Sequence, residues 1–321
     1  MTERLSSIDG ATRMTEPGMR ILITGVTGLV GARLAAQLLM SRAEIVALSR
    51  DPSRAQDKVQ AVSRAWKWSP ESAVPEQAMQ GVDAVIHLAG ESVAGRWTDE
   101  KKRAIAESRI EGTRRVVEAI EALPGDQRPH VLVSASAIGY YGDTGERDVV
   151  ESDPPADDFL AKVCVEWERE AMRAEALGVR VVTPRIGLVM SREGGALERM
   201  LPIFKMGLGG KLGTGRQWWP WIHLDDVIGV VQHAIAHRDL RGPVNATAPS
   251  PVRQSDFAEV LARVLHRPAF LPAPAFAIRT ALGEFGAEVL GSRKVLPSRL
   301  VETGYPFRFP ELEPALRDLL G

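Results

Sequence analysis

The sequence predicts an α/β fold, with a doubly wound parallel sheet and a smaller, interleaved C-terminal α/β part. Three observations lead to this prediction. From Met19 onward, short apolar runs rich in β-branched residues alternate with helical patterns. Three glycines, Gly25, Gly28 and Gly31, stand between the first strand and the first helix. The alternation ends after about Val189. Strands separated by helices of this length form right-handed βαβ units, which build a parallel sheet covered on both faces.

The predicted elements follow the chain in a regular order. Each strand is a short apolar run, and each helix carries apolar residues at helical spacing. Strands are expected at RILITG, EIVALSR, RAWKW, DAVIHLAG, HVLVSAS and VRVVTPRIG. Helices are expected at GARLAAQLLMSR, from about Thr98 to Ala122, and at FLAKVCVEWEREAMRAEALG. Thr98 and Asp99 are N-cap candidates for the second helix, and Gly178 is the C-cap glycine of the third.

The chain divides into three predicted regions. Residues 1–18 lack periodicity and end in a Pro-Gly pair, which predicts a flexible N-terminal tail. Residues 19–190 form the nucleotide-binding domain, and residues 191–321 form a smaller, interleaved domain on the substrate side. Within the second domain, residues 222–247 are expected to return to the first. Because open α/β sheets bind ligands at the carboxyl ends of their strands, we expect the second domain to cover that edge.

The composition excludes several classes of function. The 321 residues are 45% hydrophobic and 25% charged, as in average globular proteins, and the net charge of -1 argues against nucleic acid as a partner. No signal peptide or long uncharged apolar run is visible, so we expect a cytoplasmic protein with no membrane partner. The single cysteine, Cys164, allows neither an internal disulfide nor a thiolate cluster. Of the six histidines, His233 and His237 form an HxxxH pair that lacks the glutamate of HExxH, so we expect no metal site.

The stretch ILITGVTGLVGARL, residues 21–34, carries the clearest functional signal. Its three glycines directly follow a strand and open a helix, and in this context their spacing indicates a dinucleotide-binding turn. The first glycine permits the tight turn, the second lets backbone amides approach the pyrophosphate, and the third lets the helix lie close to the sheet. A Gly-rich turn without a ligand is the alternative interpretation. The residues expected to contact the cofactor here are Gly25, Thr27, Gly28, Leu29, Val30 and Gly31.

The end of the second strand, ALSRDP, bears on the choice of dinucleotide. An acidic residue at this place hydrogen-bonds the adenosine ribose of NAD, whereas an arginine accepts the 2′-phosphate of NADP. Arg50 stands at the expected spacing, with Arg54 behind it, and Asp51 follows directly. We therefore expect NADP (NADPH) in preference to NAD, with Arg50 as the phosphate ligand. A solvated strand-end charge is the alternative for Arg50.

Five motifs together resemble the extended short-chain dehydrogenase/reductase superfamily, the group of sugar-nucleotide epimerases and dehydratases. These motifs are TGVTGLVG, DAVIHLAG, SASAIGYYG, PRIG and WIHLDDV. More narrowly, HLAGESVAGRWTDEKKRAIAESRIEGT, FLAKVCVEWE and the C-terminal GPVNATAPSPVRQSDFAEVLARVLHRPAFLPAPAFAIR are similar to the subfamily called epimerase family proteins, or nucleoside-diphosphate-sugar epimerases. The resemblance covers nearly the whole chain after Met19. It implies a Rossmann fold, NADP-type binding and a distinctive C-terminal domain, and it brings no established substrate.

In that superfamily a Ser or Thr, a Tyr and a Lys in a YxxxK arrangement act together, because hydride transfer must be matched by proton transfer at the oxygen. The resemblance assigns the positioning hydroxyl to Ser136, with Ser134 second. It assigns Lys162 as the lysine that also holds the nicotinamide ribose. Asp158 stands four residues before Lys162, so the expected tyrosine is missing.

Three explanations of the missing tyrosine remain open. Tyr140 or Tyr141, in GYYG, could supply the phenol. Asp158 could donate the proton if a closed site keeps its carboxyl group protonated. Alternatively, the protein does no redox chemistry. The candidate catalytic residues are Ser136, Tyr141, Lys162 and Asp158.

Further site residues follow from their positions in the resemblance. Those that close the fourth and sixth strands are expected to contact the cofactor: Leu88, Ala89, Gly90 and Arg185. Aromatic walls with cationic groups suit an anionic, ring-containing ligand, and packing between domains is the alternative for the tryptophans. The substrate candidates on this basis are Arg96, Trp97, Arg216 and Trp218. His223, Asp225 and Asp226 are expected to cap the next helix.

These observations predict an NADP-dependent oxidoreductase or epimerase that acts on a hydroxyl or carbonyl of a small, anionic or nucleotide-sugar-like substrate. The alternative, from a different class, is a catalytically silent NADP(H)-binding sensor or regulatory protein. Superfamily members often dimerise through their long helices, so residues 103–122 could form a homodimer interface.

Overall fold

The computed structural model describes residues 18–321. Apart from Gly18, the predicted flexible tail therefore lies outside the described residues. The strands of the main sheet, and those that form short separate pairs, are β1 (Arg20–Thr24), β2 (Glu44–Ser49), β3 (Val62–Lys67), β4 (Ala84–His87), β5 (Val131–Ser134), β6 (Ser136–Ala137), β7 (Asp148–Val149), β8 (Arg180–Ile186), β9 (Leu188–Met190), β10 (Trp218–Trp219), β11 (Trp221–His223), β12 (Gly242–Ala246), β13 (Val252–Arg253) and β14 (Lys294–Val295).

Helices connect these strands and cover both faces of the sheet. They are α1 (Leu29–Met40), α2 (Pro52–Lys58), α3 (Glu76–Met79), α4 (Asp99–Glu121), α5 (Phe159–Met172), α6 (Gly195–Lys205), α7 (Leu224–Ala236), α8 (Gln254–Leu265), α9 (Ala275–Leu282), α10 (Phe285–Leu290), α11 (Ser298–Glu302) and α12 (Leu312–Leu320). Three short 3₁₀ turns lie at Gly125–Gln127, Ile138–Tyr141 and Arg173–Leu177. Among residues 18–321, no helix is both long and apolar enough to cross a membrane.

Eight strands form one parallel sheet. Seven of them lie in the order β12-β8-β5-β4-β1-β2-β3, and β6 also pairs with β8. The predicted doubly wound parallel sheet is thus confirmed. The strand order reverses between β1 and β4, which leaves a crevice beyond their carboxyl ends. Ligands of open α/β sheets bind at such a crevice.

The core explains the patterns read from the sequence. Ile21, Leu22 and Ile23 of β1 are fully buried, because a central parallel strand is covered on both of its faces. On one face, the sheet packs against Leu34 and Leu38 of α1 and against apolar residues of α7. On the other face it packs against the apolar side of α4 and the end of α5. This two-sided burial fixes the ends of the strands and hence the site.

The C-terminal part has an apolar core of its own and is interleaved with the sheet. Its core is built by α6, α8 and α12, with Phe204, Phe257 and Leu316 among the buried side chains. The chain also contributes β12 to the large sheet, where Val244 pairs with Pro184 of β8. The two parts therefore share one sheet edge.

Asp226 joins the C-terminal residues to the sheet-covering helix α7. Its carboxylate accepts the backbone amides of Arg308 at 2.8 Å and Phe309 at 2.9 Å, and the hydroxyl of Tyr305 at 3.1 Å. The expected capping of α7 is confirmed for His223 and is wrong for Asp226. The cap of α7 is His223, whose Nδ1 accepts the Asp225 amide at 3.0 Å, while Asp226 is buried and used for this tertiary contact.

Candidate functional site

A cleft of about 480 Å³ opens at the point where the strand order reverses. It lies between the glycine turn after β1, the ends of β2 and β4, and the first half of α4. Its walls combine backbone, charged and aromatic groups, as in many ligand sites. The lining residues are Gly25, Val26, Thr27, Gly28, Leu48, Ser49, Arg50, Trp68, Pro70, Glu71, Leu88, Ala89, Gly90, Glu91, Ala104, Glu107 and Ser108.

The glycines of the turn are required by close backbone contacts. Gly25 has φ +70°, and a Cβ there would lie 2.8 Å from the carbonyl carbon of Leu88. A Cβ at Gly31 would overlap the carbonyl oxygen of Gly25 and lie 2.8 Å from the Cα of Val26. These distances show how closely α1 lies against the turn, and therefore why a side chain is excluded.

The amino terminus of α1 presents unused backbone donors to the cleft. The first intrahelical bond runs from the Ala32 amide to the Gly28 carbonyl at 3.0 Å, so the helix does not use the amides of Leu29, Val30 and Gly31. Within the described part of the chain, no side chain caps this terminus. Unused amides and the positive end of a helix together favour an anion such as a pyrophosphate.

Arg50 and Asp51, which the sequence leaves as alternatives, have different surroundings. Asp51 is the N-cap of α2, and its carboxylate accepts the Arg54 amide at 3.0 Å. Arg50 is exposed and lines the cleft. The carboxylate is thus held by a helix end, whereas the guanidinium is available to a ligand.

A buried hydroxyl fixes the turn after β4. Thr24 Oγ1 accepts the amides of Leu88 and Ala89, each at 3.1 Å, and lies 2.8 Å from His87 Nδ1. Because it accepts two amides, its proton points to Nδ1, which requires the neutral His87 ring. Burial, with a smaller effect of the Arg109 charge, lowers the pKa of His87 to about 4. No motif in the sequence indicated this pair, although Thr24 and His87 end the adjacent strands β1 and β4.

Helix α4 holds the next residues of the same turn. The Glu91 amide donates to Ser108 Oγ at 2.9 Å, and Arg109 donates to the Glu91 carbonyl at 2.9 Å. The Arg109 guanidinium lies 3.2 Å from the position of a Cβ at Gly90. Leu88, Ala89 and Gly90 are therefore held rigidly at the floor of the cleft.

Beyond the cleft, Ser136 belongs to a buried ion-pair network. Arg185, only 2% exposed, binds Glu168 through two hydrogen bonds of 2.8 Å. Ser136 donates its hydroxyl proton to the same carboxylate at 2.6 Å. The Ser136 oxygen can then accept a hydrogen bond from a ligand but has no proton left to donate. Glu168 was not among the expected site residues.

The hydroxyl group of Tyr141 is fully engaged in hydrogen bonds. Its phenol donates to Asn245 Oδ1 at 2.7 Å and accepts from Arg185 at 2.8 Å. Burial raises the pKa of Tyr141 to about 12, although Arg185 partly opposes the shift. This geometry supports a structural role for Tyr141 in joining β12 to the 3₁₀ turn at residues 138–141.

Asp158 and Lys162 lie apart from this network. Asp158 is the N-cap of α5 and accepts the Ala161 amide at 2.9 Å. Lys162 Nζ pairs with Asp157 at 2.8 Å, and the lysine side chain is 64% exposed. The face of α5 toward Ser136 instead carries Cys164, whose Sγ lies 3.6 Å from the Ala137 carbonyl, and Glu168. The four expected catalytic residues are thus not brought together.

The expected substrate residues form two groups on either side of residues 283–294. Trp97 donates its indole proton to the Val93 carbonyl at 2.7 Å, and its ring contacts the Phe285 ring at 5.8 Å. Arg96 lies beside Gly283. These contacts place Arg96 and Trp97 against the start of α10.

Trp218 and Arg216 lie at the other end of the same segment. The Trp218 ring is held between Arg253, at 4.3 Å, and Lys294, at 4.9 Å, and its indole donates to Glu146 at 3.0 Å. The Arg216 carbonyl accepts a hydrogen bond from Arg253. Trp218 is therefore packed between charged side chains.

Within residues 18–321, no cluster of three His, Cys, Asp or Glu side chains could hold a metal ion.

Comparison with known proteins identifies the relatives of this chain. The model of the NAD-dependent epimerase/dehydratase family matches residues 21–246. A second model, a domain of unknown function called DUF1731, matches residues 273–319. The chloroplastic homolog of epimerase family protein SDR39U1 from Arabidopsis thaliana is 41% identical over 307 residues, which cover 95% of this chain and 88% of the relative.

Two solved structures above 30% identity share the fold. The human epimerase family protein SDR39U1 (isoform 2), crystallised with NADPH, has a TM-score of 0.82 and 32% identity, covering 94% of this chain and 99% of its own. A nucleoside-diphosphate sugar epimerase from Corynebacterium glutamicum has a TM-score of 0.77 and 31% identity, covering 95% of this chain and 58% of its own.

The first family model covers more than half of the chain, and the A. thaliana relative aligns along nearly all of it. The resemblance inferred from the sequence motifs is confirmed, including the distinctive C-terminal domain. The chain therefore belongs to the NAD-dependent epimerase/dehydratase family, within the extended short-chain dehydrogenase/reductase superfamily of NAD(P)-dependent oxidoreductases and epimerases.

Proposed function

We propose that this protein is an NADP-dependent oxidoreductase or epimerase that acts on a hydroxyl or carbonyl of a small, anionic or nucleotide-sugar-like substrate. One observation carries the proposal: a single cleft has unused helix amides at one end and the exposed guanidinium of Arg50 at its rim. These are the two anion sites that a dinucleotide with a 2′-phosphate requires. The human relative, crystallised with NADPH, supports the choice.

The cofactor contacts follow from this cleft. The amides of residues 29–31 would hold the pyrophosphate, and Leu88, Ala89 and Gly90 would form the floor beneath the riboses. Arg50 would bind the 2′-phosphate, and Asp51, engaged as the α2 cap, would leave it free to do so. When bound, the cofactor supplies or removes a hydride, and the chain must move a proton at the substrate oxygen.

The substrate assignment depends on the residues that flank α10. Arg96 and Trp97 contact residues 283–285, and Trp218 contacts residues 292–294 at the other end of the same segment, close in sequence to Arg216. Cationic groups beside aromatic rings support an anionic ligand with a ring. The C. glutamicum structure is described as a nucleoside-diphosphate sugar epimerase, which supports the same class of substrate.

The cofactor assignment is tested by nucleotide binding to the full chain. Replacing Arg50 by Ala should weaken NADPH binding roughly 10- to 100-fold, because a charge-assisted hydrogen bond to phosphate is lost. NADH binding should change less than about twofold. The control is Arg103→Ala, an exposed arginine of α4 outside the cleft. Equal losses for NADPH and NADH in Arg50→Ala would contradict the assignment.

Release of nucleotide from freshly purified protein distinguishes the reaction types. An epimerase that returns its own hydride is expected to retain near-stoichiometric oxidised NADP. An exchanging reductase is expected to retain little and to bind added NADPH. Identification and quantification of the released nucleotide after denaturation separate these two outcomes.

A second function is supported by a separate observation. Lys162 is exposed and paired with Asp157, and no tyrosine precedes it at the YxxxK position. A catalytically silent NADP(H)-binding sensor would have this property. A sensor should bind NADPH tightly and show no NADPH oxidation across a panel of carbonyl compounds and nucleotide sugars.

A further inference from the structure

We propose that Tyr140 supplies the phenol that exchanges a proton with the substrate oxygen, and that Arg185, beneath its ring, takes the place of the lysine of the YxxxK pair. This inference rests on the proposed function. Tyr140 would then replace the missing tyrosine of the YxxxK motif, for which the sequence offers Tyr140, Tyr141 and Asp158 as candidates.

The contacts of the Tyr140 side chain differ from those of Tyr141. It lies on the 3₁₀ turn at residues 138–141, which directly follows β6 and Ser136 at the carboxyl edge of the sheet. Arg185 Cζ lies 3.4 Å from the centroid of the Tyr140 ring. The ring is half-buried, and within residues 18–321 its hydroxyl has no hydrogen-bond partner. The face of the ring is therefore fixed while the phenol remains available.

The other two tyrosines of the chain are excluded by their contacts. Tyr141 is bound to Asn245 and Arg185, and burial raises its pKa to about 12. Tyr305 donates to Asp226, and burial together with that carboxylate raises its pKa still further. Since the chain has three tyrosines, Tyr140 is the remaining phenol.

The Arg185 guanidinium keeps its positive charge in this buried environment. Burial opposes its charge, but the hydrogen bonds and the charge of Glu168 outweigh burial and raise the pKa of Arg185. A fixed cation against an aromatic face stabilises the negative charge that a phenol develops as it gives up its proton. The superfamily lysine has the same effect on its tyrosine. Lys162 cannot provide it here, because its ammonium group is turned to solvent.

In a carbonyl reduction, the O–H bond of Tyr140 breaks and its proton passes to the carbonyl oxygen. The carbonyl carbon receives a hydride, with its two electrons, from the reduced nicotinamide. The phenolate that remains takes a proton from water. In the reverse direction, the phenolate accepts the proton of the substrate hydroxyl. Ser136 takes no part in this step, because its own proton is held by the Glu168 carboxylate and the single proton of the substrate hydroxyl passes to Tyr140.

Tyrosine NMR of the full chain tests the placement without an activity assay. With [ζ-¹³C]tyrosine the protein gives three signals, which Tyr140→Phe, Tyr141→Phe and Tyr305→Phe assign individually. We expect NADPH to shift the Tyr140 signal and to leave the Tyr305 signal, remote from the cleft, unchanged. NADPH binding with an unmoved Tyr140 signal would overturn this proposal but not the proposed function. Failure of NADPH to bind would overturn both.

Chemical modification gives a second readout that needs no variant. Tetranitromethane should nitrate Tyr140 before Tyr141 or Tyr305, and NADPH should slow that reaction several-fold, as peptide mass spectrometry would show. Preferential nitration of Tyr141, or no protection by NADPH, would contradict the proposal. Once a substrate is found, Tyr140→Phe should lower turnover at least 100-fold with an unchanged Kd for NADPH. Turnover at the wild-type rate would exclude Tyr140.

Discussion

At the scale of single residues, the site depends on side chains whose hydrogen-bonding capacity is already committed. Thr24 accepts hydrogen bonds from the amides of Leu88 and Ala89 at the cleft floor, and Asp51 accepts one from the Arg54 amide at the start of α2. The exposed Arg50 guanidinium remains available to a ligand. The proposed preference for NADP rests on which groups already have hydrogen-bond partners, and not only on which residue types are present.

His87 makes stability depend on pH. Its pKa is lowered from 6.5 to about 4 in the folded protein, so the unfolded chain binds more protons between these values. The folded state is therefore destabilised as pH falls from 6.5 towards 4, by about 1.4 kcal/mol per pH unit and by about 3 kcal/mol in all. Urea unfolding at pH 7, 5.5 and 4.5 measures this slope. His87→Gln should reduce it, while His223 and His233, whose pKa burial also lowers, still contribute; the exposed His130→Gln should leave the slope unchanged. An unchanged slope in His87→Gln would refute the assignment.

At the scale of elements, the part of the site that the sequence predicted is local. The glycine turn, α1 and the end of β2 follow one another along the chain, so their relative positions can be read from spacing in the sequence. The buried network could not be predicted in this way. Arg185 and Glu168 are 17 residues apart, Ser136 and Glu168 are 32 apart, and Tyr141 and Asn245 are 104 apart. These pairs depend on strand order, which a pattern of apolar residues does not specify.

Substitution of Gly31 tests the packing of α1 on the turn. Gly31→Ala places a methyl group against the Gly25 carbonyl and must push the helix away. We expect a loss of about 1–3 kcal/mol in the free energy of unfolding and at least tenfold weaker NADPH binding. Denaturant titration and fluorescence measure the two effects. A Cβ added at Gly125 would meet no described atom within 4 Å, so Gly125→Ala is the control. Wild-type affinity in Gly31→Ala would show that the contact is unimportant.

At the scale of the whole molecule, the C-terminal part is tied to the nucleotide-binding sheet by buried polar contacts. Asp226 of α7 binds the amides of Arg308 and Phe309 and the Tyr305 hydroxyl. Residues 283–294 also reach Trp97 on one side and Trp218 on the other. The positions of the proposed substrate residues thus depend on how the two parts fit together.

Asp226→Asn should loosen this connection. The new amide NH₂ group would face a backbone N–H that needs an acceptor, and an unsatisfied buried donor costs about 1–3 kcal/mol. We expect a lower free energy of unfolding and faster proteolytic cleavage near residues 303–309. Asp256→Asn, an exposed carboxylate of α8, provides the comparison. If proteolysis proceeds equally fast in the two variants, the Asp226 contact does not hold the C-terminal residues in place.

The position of β12 has a consequence for dissecting the protein. The chain leaves the sheet after β8, builds much of the C-terminal core, and returns with α7 and β12 before leaving again. No single cut separates two complete halves. A fragment that stops near residue 190 would lack α7 on one face and would expose the hydrogen-bonding edge of β8 to other chains. A fragment that keeps the sheet intact must therefore include α7 and β12, and exchange of the C-terminal part between relatives requires two junctions that leave α7 and β12 in place.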